Sequence, residues 1–586
     1  MAGETVAIIF RGMAPPDASG LSFRSSGIPS SDGLRLFKEE AFLPPMRMIL
    51  AAFLLVGSPL LSGKPLKAGA LRTELQFSPE AVGTSPRFTW RLESDEQGKR
   101  QTAYQILAAT SLEKLDEKNA DLWNSGQQAG GQKNLVPWKG KPLKGRSLVH
   151  WKVRVWDEKK VAGPWSEPTT FKVDGKTKWS TPRRISSFES SSPQLNSLFN
   201  ESITVLEKRL ARFANGDVPA LGKGDQVHRS ARAMMFHFDS VPHLTHWLRL
   251  TDASMIEGTF FPVQPNSKAY GSMASEGAIL THLPVWLMGG DSAYPKERWK
   301  LYEKHMIARE KNDRAFKGTK WGETTELEGM TPEYLDLVYL GFTTRLIREL
   351  SLPSQQPMNV IRFKDYADRI KNSFQKQYVN PDGSLKVKSQ SAHVLALRSA
   401  VLEPKQQQKV VADLIASITK NGSQVGPIGA YFLPGVLSLT GNQDLAVKLL
   451  NSLGEKEKAA YLGNGISEWL MAFLAGLDTS FPGFQQIMIA PRIPESDELR
   501  WVKAECDSLS GKVRVHWQKL KDGGIQVDCT IPPGAISKII LPARKESRIM
   551  VDGKEIAQTP TLQVISRNDQ LISLISQSGT YSIVIK

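Results

Sequence analysis

The stretch from Phe88 to Ser166 constrains the fold more than any other part of the chain. It carries short runs in which apolar and polar residues alternate, among them Phe88-Thr89-Trp90-Arg91-Leu92-Glu93-Ser94, Thr102-Ala103-Tyr104-Gln105-Ile106-Leu107 and His150-Trp151-Lys152-Val153-Arg154-Val155-Trp156. Gly130-Gly131 and Lys139-Gly140-Lys141 interrupt them with turn signals. Alternation sends successive side chains to opposite faces of a strand, so runs of this kind between turns predict a small antiparallel sandwich over residues 66–173. Trp90, Trp123, Trp151, Trp156 and Trp165 lie on or near its strands. Exposed rings of this kind stack on sugars, but a large aromatic is also the usual plug of a sandwich core, and the core reading is favoured.

From about residue 193 to 478 the period changes to that of helices. Ser192-Pro193 is a helix start, and Leu195, Leu198, Ile203, Leu206, Leu210 and Phe213 follow near the helical spacing. Pro295, Pro332 and Pro404 read as first-turn prolines of later helices. Helices over 229–251, 275–290, 332–350 and 458–477 belong to a set of roughly eleven, with short connections. A closed ring of paired helices needs about twelve, so this reading leaves one helix absent. After Phe481 alternation returns. Val513-Arg514-Val515-His516-Trp517 and Ile525-Gln526-Val527-Asp528-Cys529-Thr530-Ile531 flank Asp522-Gly523-Gly524, a hairpin signal. The expected fold class is therefore multidomain α and β, with a sandwich over 66–173, an (α/α)6-type helical barrel over 180–478 and a second sandwich over 480–586.

Met46 to Ser58 has a charge followed by a short apolar run and then small residues, the layout of a signal peptide over 46–63. The run is shorter than the roughly 20 residues that span a bilayer. Residues 1–45 are rich in Gly, Pro and Ser and read as disordered or as an over-extended start. A periplasmic or secreted protein, with no membrane span after cleavage, is expected. The formal net charge is +16. Arg11, Arg24, Arg35, Lys38 and Arg47 are matched before residue 64 by Glu4, Asp17, Asp32, Glu39 and Glu40, so the excess lies in the remainder. No nucleic-acid module is recognisable, and an exported basic protein points to an anionic polysaccharide as the sharper partner reading, although dispersed solvated lysines are the favoured explanation of the charge. Two cysteines, Cys506 and Cys529, give no disulfide framework and no zinc motif, and buried free thiols are expected. No Asp-rich metal loop is evident, and no cofactor is implied.

Several words in the chain resemble those of bacterial α-L-rhamnosidases. Trp90-Arg91-Leu92-Glu93-Ser94, Arg100 to Leu107 and His150 to Trp165 are similar to that family's fibronectin-like N-terminal domain. Phe188 to Leu198 resembles its lead-in to the barrel. Ser467-Glu468-Trp469-Leu470, Pro482-Gly483-Phe484 and Ile489-Ala490-Pro491-Arg492 resemble its exit. Gly511 to Trp517 and Ile531-Pro532-Pro533-Gly534 match its last sandwich, and the resemblance spans residues 66–560. It implies hydrolysis of terminal α-L-rhamnose with inversion, on a rhamnose-containing glycan. That reaction needs a carboxylic acid for the leaving oxygen and a carboxylate for a water, roughly 6.5–9.5 Å apart.

Measured against the family, this is a divergent and truncated member. The family's acid lies in a stretch that Val218-Pro219 anchors, and there Asp225 falls on an Asp while Gln226 replaces the Glu. Asp225, in a loop at a helix start, is a candidate acid and equally a capping residue. Leu453 to Ile466 lacks the word that carries the family's base. Trp321-Gly322-Glu323 sits where the family lines its sugar site, which makes Glu323 the second catalytic candidate and Trp321 and Glu326 sugar contacts. Glu323, Glu326 and Glu328 are close enough to raise a carboxyl by like-charge coupling, or to be a plain acidic loop. His228, Arg229, Asp252 and Glu257 complete the expected substrate-binding set, with His393 as a further donor. Glu468-Trp469 reads as packing of the last barrel helix. Two functions follow: a rhamnosidase-like hydrolase with relocated acid and base, or a non-catalytic relative that binds rhamnose-rich polysaccharide. A third, weaker reading is another α/α-barrel activity such as uronyl hydrolysis.

Overall fold

The computed structural model describes residues 65–175, 179–312, 327–351 and 353–586. The expected leader over 1–63, and Trp321, Glu323 and Glu326, lie outside the described residues. The N-terminal sandwich has strands β1 (Lys67–Thr73), β2 (Arg87–Glu93), β3 (Ala103–Ala109), β4 (Trp123–Asn124), β5 (Gln128–Ala129), β6 (Val136–Pro137), β7 (Leu148–Trp156) and β8 (Thr169–Lys172). One sheet runs β1-β2-β6, and the other runs β4-β3-β7-β8 with β5 beside β3. The alternation lands as expected. Phe88, Trp90, Trp151, Val153 and Val155 are buried between the sheets. The Trp90 indole donates to Gln101 at 2.9 Å, so its one polar atom is satisfied inside the core. Trp123 and Trp165 are half-buried, and Arg154 lies 4.7 Å above the Trp165 ring.

The helices are α1 (Pro193–Ala214), α2 (Gly224–His237), α3 (Val241–Ala253), α4 (Ser272–Gly289), α5 (Tyr294–Asn312), α6 (Pro332–Ser351), α7 (Met358–Tyr378), α8 (Gln390–Arg398), α9 (Pro404–Asn421), α10 (Pro427–Leu439), α11 (Gln443–Asn451), α12 (Glu455–Leu462) and α13 (Ile466–Trp469). Leu470–Leu474 continues α13 as a π-turn, in which the Ala475 amide reaches back to the Leu470 carbonyl. The Ser192 hydroxyl caps α1 by accepting from the Leu195 amide at 3.1 Å. α2, α4, α6, α8, α10 and α13 pack in sequence, and α13 returns to α2, which closes an inner ring. The remaining helices lie outside it.

The expected helix over 229–251 is two. It breaks at Asp239-Ser240, where α2 ends and Val241-Pro242 begins α3. The stretch 458–477 likewise divides into α12 and α13. Among the described residues twelve paired helices are thus present with α12 in addition, and the inner ring closes with six. The period hid these breaks because α2 is buried on nearly every side from Val227 to His237, so it shows no polar stripe whose end marks a boundary.

The C-terminal sandwich begins before the barrel. Strand β9 (Ser186–Ser190), inside the barrel's lead-in words, pairs antiparallel with β12 (Trp501–Ser508), with Ser190 opposite Val502. Strands β10 (Leu477–Thr479), β11 (Gln486–Ile489), β13 (Gly511–Lys519), β14 (Ile525–Ile531), β15 (Ile536–Pro542), β16 (Ile549–Val551), β17 (Lys554–Glu555), β18 (Leu562–Arg567), β19 (Leu571–Ser576) and β20 (Gly579–Ile585) complete it. One sheet runs β17-β16-β20-β14-β13-β12-β9, and the other β10-β11-β15-β19-β18. The Trp517 indole donates to the Leu474 carbonyl at 2.8 Å and locks the sandwich to the end of the ring. Cys506 and Cys529 are free and buried, as expected. No helix among the described residues is long and apolar enough to cross a membrane.

Candidate active site inside the helical ring

The inner helix α2 presents Asp225, Arg229 and Arg232 one turn apart, so all three share one face. That face looks across the ring interior to α13. The Arg229 guanidinium donates to Asp225 at 3.0 Å and to the Asn464 side-chain oxygen at 2.9 Å. One turn further along, Arg232 donates to Glu468 at 3.0 Å and also to Asp478. The Tyr431 hydroxyl of α10 donates to the other Glu468 oxygen at 3.3 Å. Burial pushes the Glu468 carboxyl upward, against the pull of Arg232, and Asp478 pushes the same way. A carboxyl pushed upward by burial is a setting that suits a general acid.

Gly465 starts α13 with φ of 74°, and a Cβ there would lie 2.5 Å from the Arg229 carbonyl. Glycine thus lets α13 approach α2 closely enough for Glu468 to meet Arg232. His228 is half-buried beside this pair, its ring 6.0 Å from that of Tyr431. Its Nδ1 has no hydrogen-bond partner among the described residues. Burial, followed by the charges of Arg229 and Arg398, drives its pKa down to about 3, so the ring is neutral and offers one donor and one acceptor. That suits a sugar hydroxyl.

The expected site residues divide clearly. Asp225, His228 and Arg229 come together in the ring interior. Asp225 is not a loop residue: it sits in the first turn of α2, 4% exposed and ion-paired, so it is neither a free acid nor a cap. Arg229 is equally committed and is not a free donor for substrate. Asp252 lies away from this cluster, near the end of α3, where it faces Arg298 at 3.3 Å and His282 at 3.6 Å. Burial raises its pKa to about 6 against the pull of Arg298, but the setting is the packing of α3 on α4 and α5. Glu257 is exposed in a tight turn between Ile256 and Phe260. His393 donates from Nδ1 to the Ser389 carbonyl, within its own helix start. Glu328 accepts from the Ile428, Gly429 and Gly426 amides and from Ser391, so it anchors the N-terminus of α10.

Glu468 and Tyr431 are the members that sequence reasoning passed over. The word around Glu468-Trp469 was visible, but a lone carboxylate in an apolar helix looks the same whether it packs or reacts; only its partners Arg232 and Tyr431, far apart in the chain, distinguish the two. Among the described residues no cluster of carboxylates, histidines or cysteines suits a metal ion.

The chain matches three family models in order. Residues 68–175 match the Rha78A-like, N-terminal immunoglobulin domain, residues 183–462 the bacterial alpha-L-rhamnosidase 6 hairpin glycosidase domain, and residues 476–555 the bacterial alpha-L-rhamnosidase C-terminal domain. An alpha-L-rhamnosidase of Streptomyces avermitilis is 25% identical over 441 residues, which cover 66% of this chain and 42% of the relative. One of Formosa agariphila is 41% identical over 128 residues, covering 19% of this chain and 13% of the relative. The chain thus aligns with less than half the length of these curated relatives. The solved alpha-L-rhamnosidase from Dictyoglumus thermophilum superposes with a TM-score of 0.77 at 13% identity, over 89% of this chain and 99% of that one. The Streptomyces avermitilis alpha-L-rhamnosidase complexed with L-rhamnose gives 0.75 at 12% identity, over 89% and 100%. At these identities the superpositions establish the fold, with the helical ring and both sandwiches in common.

Proposed function

Since the chain belongs to the bacterial α-L-rhamnosidase family, we propose that it is an α-L-rhamnosidase-like glycoside hydrolase that removes terminal α-L-rhamnose, by inversion, from a glycan outside the cytoplasm. The observation that carries this reading is Glu468, a buried carboxyl with a raised pKa in the ring interior, hydrogen-bonded by Tyr431 and beside the neutral His228. Asp225 lies seven residues earlier along α2 than Arg232, the partner of Glu468, an axial offset of about 10 Å. In this scheme Glu468 protonates the leaving oxygen and Asp225, held by Arg229, orients and deprotonates the attacking water. His228 binds a ring hydroxyl. Export is favoured by the charge and apolar run over 46–63, and the net charge of +16 favours an anionic glycan as the bulk substrate.

A second reading is a relative that binds rhamnose without cleaving it. Its support is specific: Asp225, Asp478 and Glu328 are each engaged by a guanidinium or by backbone amides, which leaves no described interior carboxylate without a strong partner. The test is turnover of an aryl α-L-rhamnoside and of rhamnose-containing polysaccharide by the protein and by Glu468→Gln and Asp225→Asn. The hydrolase reading expects turnover that Glu468→Gln lowers by about 10²–10⁴-fold, with the β-anomer of rhamnose as the first product. No turnover, with sugar binding that His228→Ala weakens, selects the second reading. N-terminal sequencing of the native protein tests export: an end near residue 64 is expected.

A further inference from the structure

A cleft separates the two sandwiches, on a face distinct from the ring interior, with a cavity volume of about 490 Å3. That volume falls within the roughly 300–1,000 Å3 of small-molecule sites. One wall is the end of β2 and the turn after it, with Arg91, Asp95 and Glu96. The other is the C-terminal sheet, with Asp507, Lys512 and Arg514. We infer that this cleft is a second saccharide-binding site, which holds a neutral stretch of the glycan while the ring works on its end.

The walls are tied together rather than merely adjacent. Arg91 donates to the Asp507 carboxylate at 2.6 Å and to its carbonyl at 3.0 Å. Beyond the other side of the cleft the Gly534 amide donates to the Lys99 carbonyl at 2.9 Å, and Gly98 donates to Ser578 at 2.9 Å. A cleft clamped at both ends between rigid sheets is formed before any ligand arrives, which removes an ordering cost from binding.

The chemistry of the lining selects the ligand. Its cations are already engaged, Arg91 by Asp507 and Lys512 and Arg514 by the single carboxylate of Glu505 at 2.6 and 2.7 Å, and Glu93, Asp95 and Glu96 on the facing wall supply the remaining negative charge. A phosphate or uronate would meet balanced charge here and gain little. A polyol meets carboxylate acceptors on one wall, ammonium and guanidinium donors on the other, and the hydroxyls of Thr530 and Thr580, 3.3 Å apart, between them. Pro533, half-buried at the edge, offers an apolar surface to the C–H face or methyl of a deoxysugar. The ligand class rests on the proposed glycan-directed function; the site itself rests on the cleft.

The test is calorimetric titration with an L-rhamnose tetrasaccharide of the full chain, of Thr530→Trp and Thr580→Tyr, which fill the cleft from exposed or half-exposed positions, and of His228→Ala in the ring. Two classes of site are expected for the parent. Either cleft variant should lose one class, at least tenfold in affinity, while His228→Ala should lose the other, with thermal midpoints unchanged. A parent whose only binding is abolished by His228→Ala, or cleft variants that bind as the parent does, would overturn the second site. Absence of any binding by the parent would overturn it too, and turnover of aryl rhamnoside by the same preparation would leave the function of the ring standing.

Discussion

Replacing Lys133 by Met should stabilise the protein, and the gain should depend on pH in a defined direction. Lys133 is 5% exposed at the seam between the sandwiches. Its ammonium reaches the Ser510 carbonyl at 3.5 Å, and among the described residues no carboxylate lies within ion-pair distance. Burial, with the nearby Arg91 charge adding to it, lowers its pKa from 10.5 to about 7. Each pH unit of that fall corresponds to about 1.4 kcal/mol, so the charged form in the fold costs at most on the order of 5 kcal/mol. Local relaxation and water entry reduce this, and a gain of about 1–3 kcal/mol is expected for the apolar replacement. The folded state holds its lysine proton less tightly than the unfolded chain, so the parent gains stability as pH rises from about 7 toward 10.5. The penalty is whole well below pH 7 and fades as pH rises through it. Urea unfolding of parent and Lys133→Met at pH 6.5 and 9.5, followed by tryptophan fluorescence, isolates the effect, because all other titrating groups are common to both. The midpoint difference should favour the variant at pH 6.5 and shrink by pH 9.5. A difference equal at the two pH values, or a variant less stable at pH 6.5, would refute the reasoning.

Three further outcomes are expected. Gly465→Ala should destabilise the ring by about 2–4 kcal/mol in thermal or urea unfolding, since it forces a Cβ onto the Arg229 carbonyl at a left-handed φ. Asp507→Ala should cost about 3 kcal/mol, because it strips Arg91 and Arg183 of their shared carboxylate and leaves a nearly buried guanidinium unpaired. If Glu468 is the proton donor, kcat/KM on an aryl rhamnoside should fall on the alkaline side as its raised pKa is passed, and Glu468→Gln should remove that limb while Asp252→Asn leaves it in place.

The sandwiches were legible because one face of each strand is buried and the other wet: Phe88, Trp90 and Leu92 on β2 announce their own side. Outer helices such as α1 and α9 were legible for the same reason, with Val410, Leu414 and Ile418 making a stripe. Inner helices were harder. α2 and α10 are surrounded by protein, so polar residues there reflect partners across the ring rather than solvent, and the break at Ser240 left no mark in the period. The family words located α13 but not the meaning of Glu468, because its pKa is raised by burial inside the closed ring, with Asp478 adding to the rise and Arg232 and Tyr431 opposing it. The same physics inverted Asp225: a loop carboxylate in sequence, it is a helix residue clamped by Arg229 one turn away.

Strand β9 has a consequence for how the chain is assembled. Ser190 and its partner Val502 stand about 310 residues apart in the chain, yet they are neighbours in one sheet. Topologically the ring, followed by β10 and β11, lies between two adjacent strands of the last sandwich. The chain leaves this sheet at Ser190 and rejoins it at Val502, a strand spacing of about 5 Å away, after building the ring and strands β10 and β11 of the opposing sheet. During synthesis β9 emerges early and has no mate until the ring is complete, which makes its docking a long-range, late closure step.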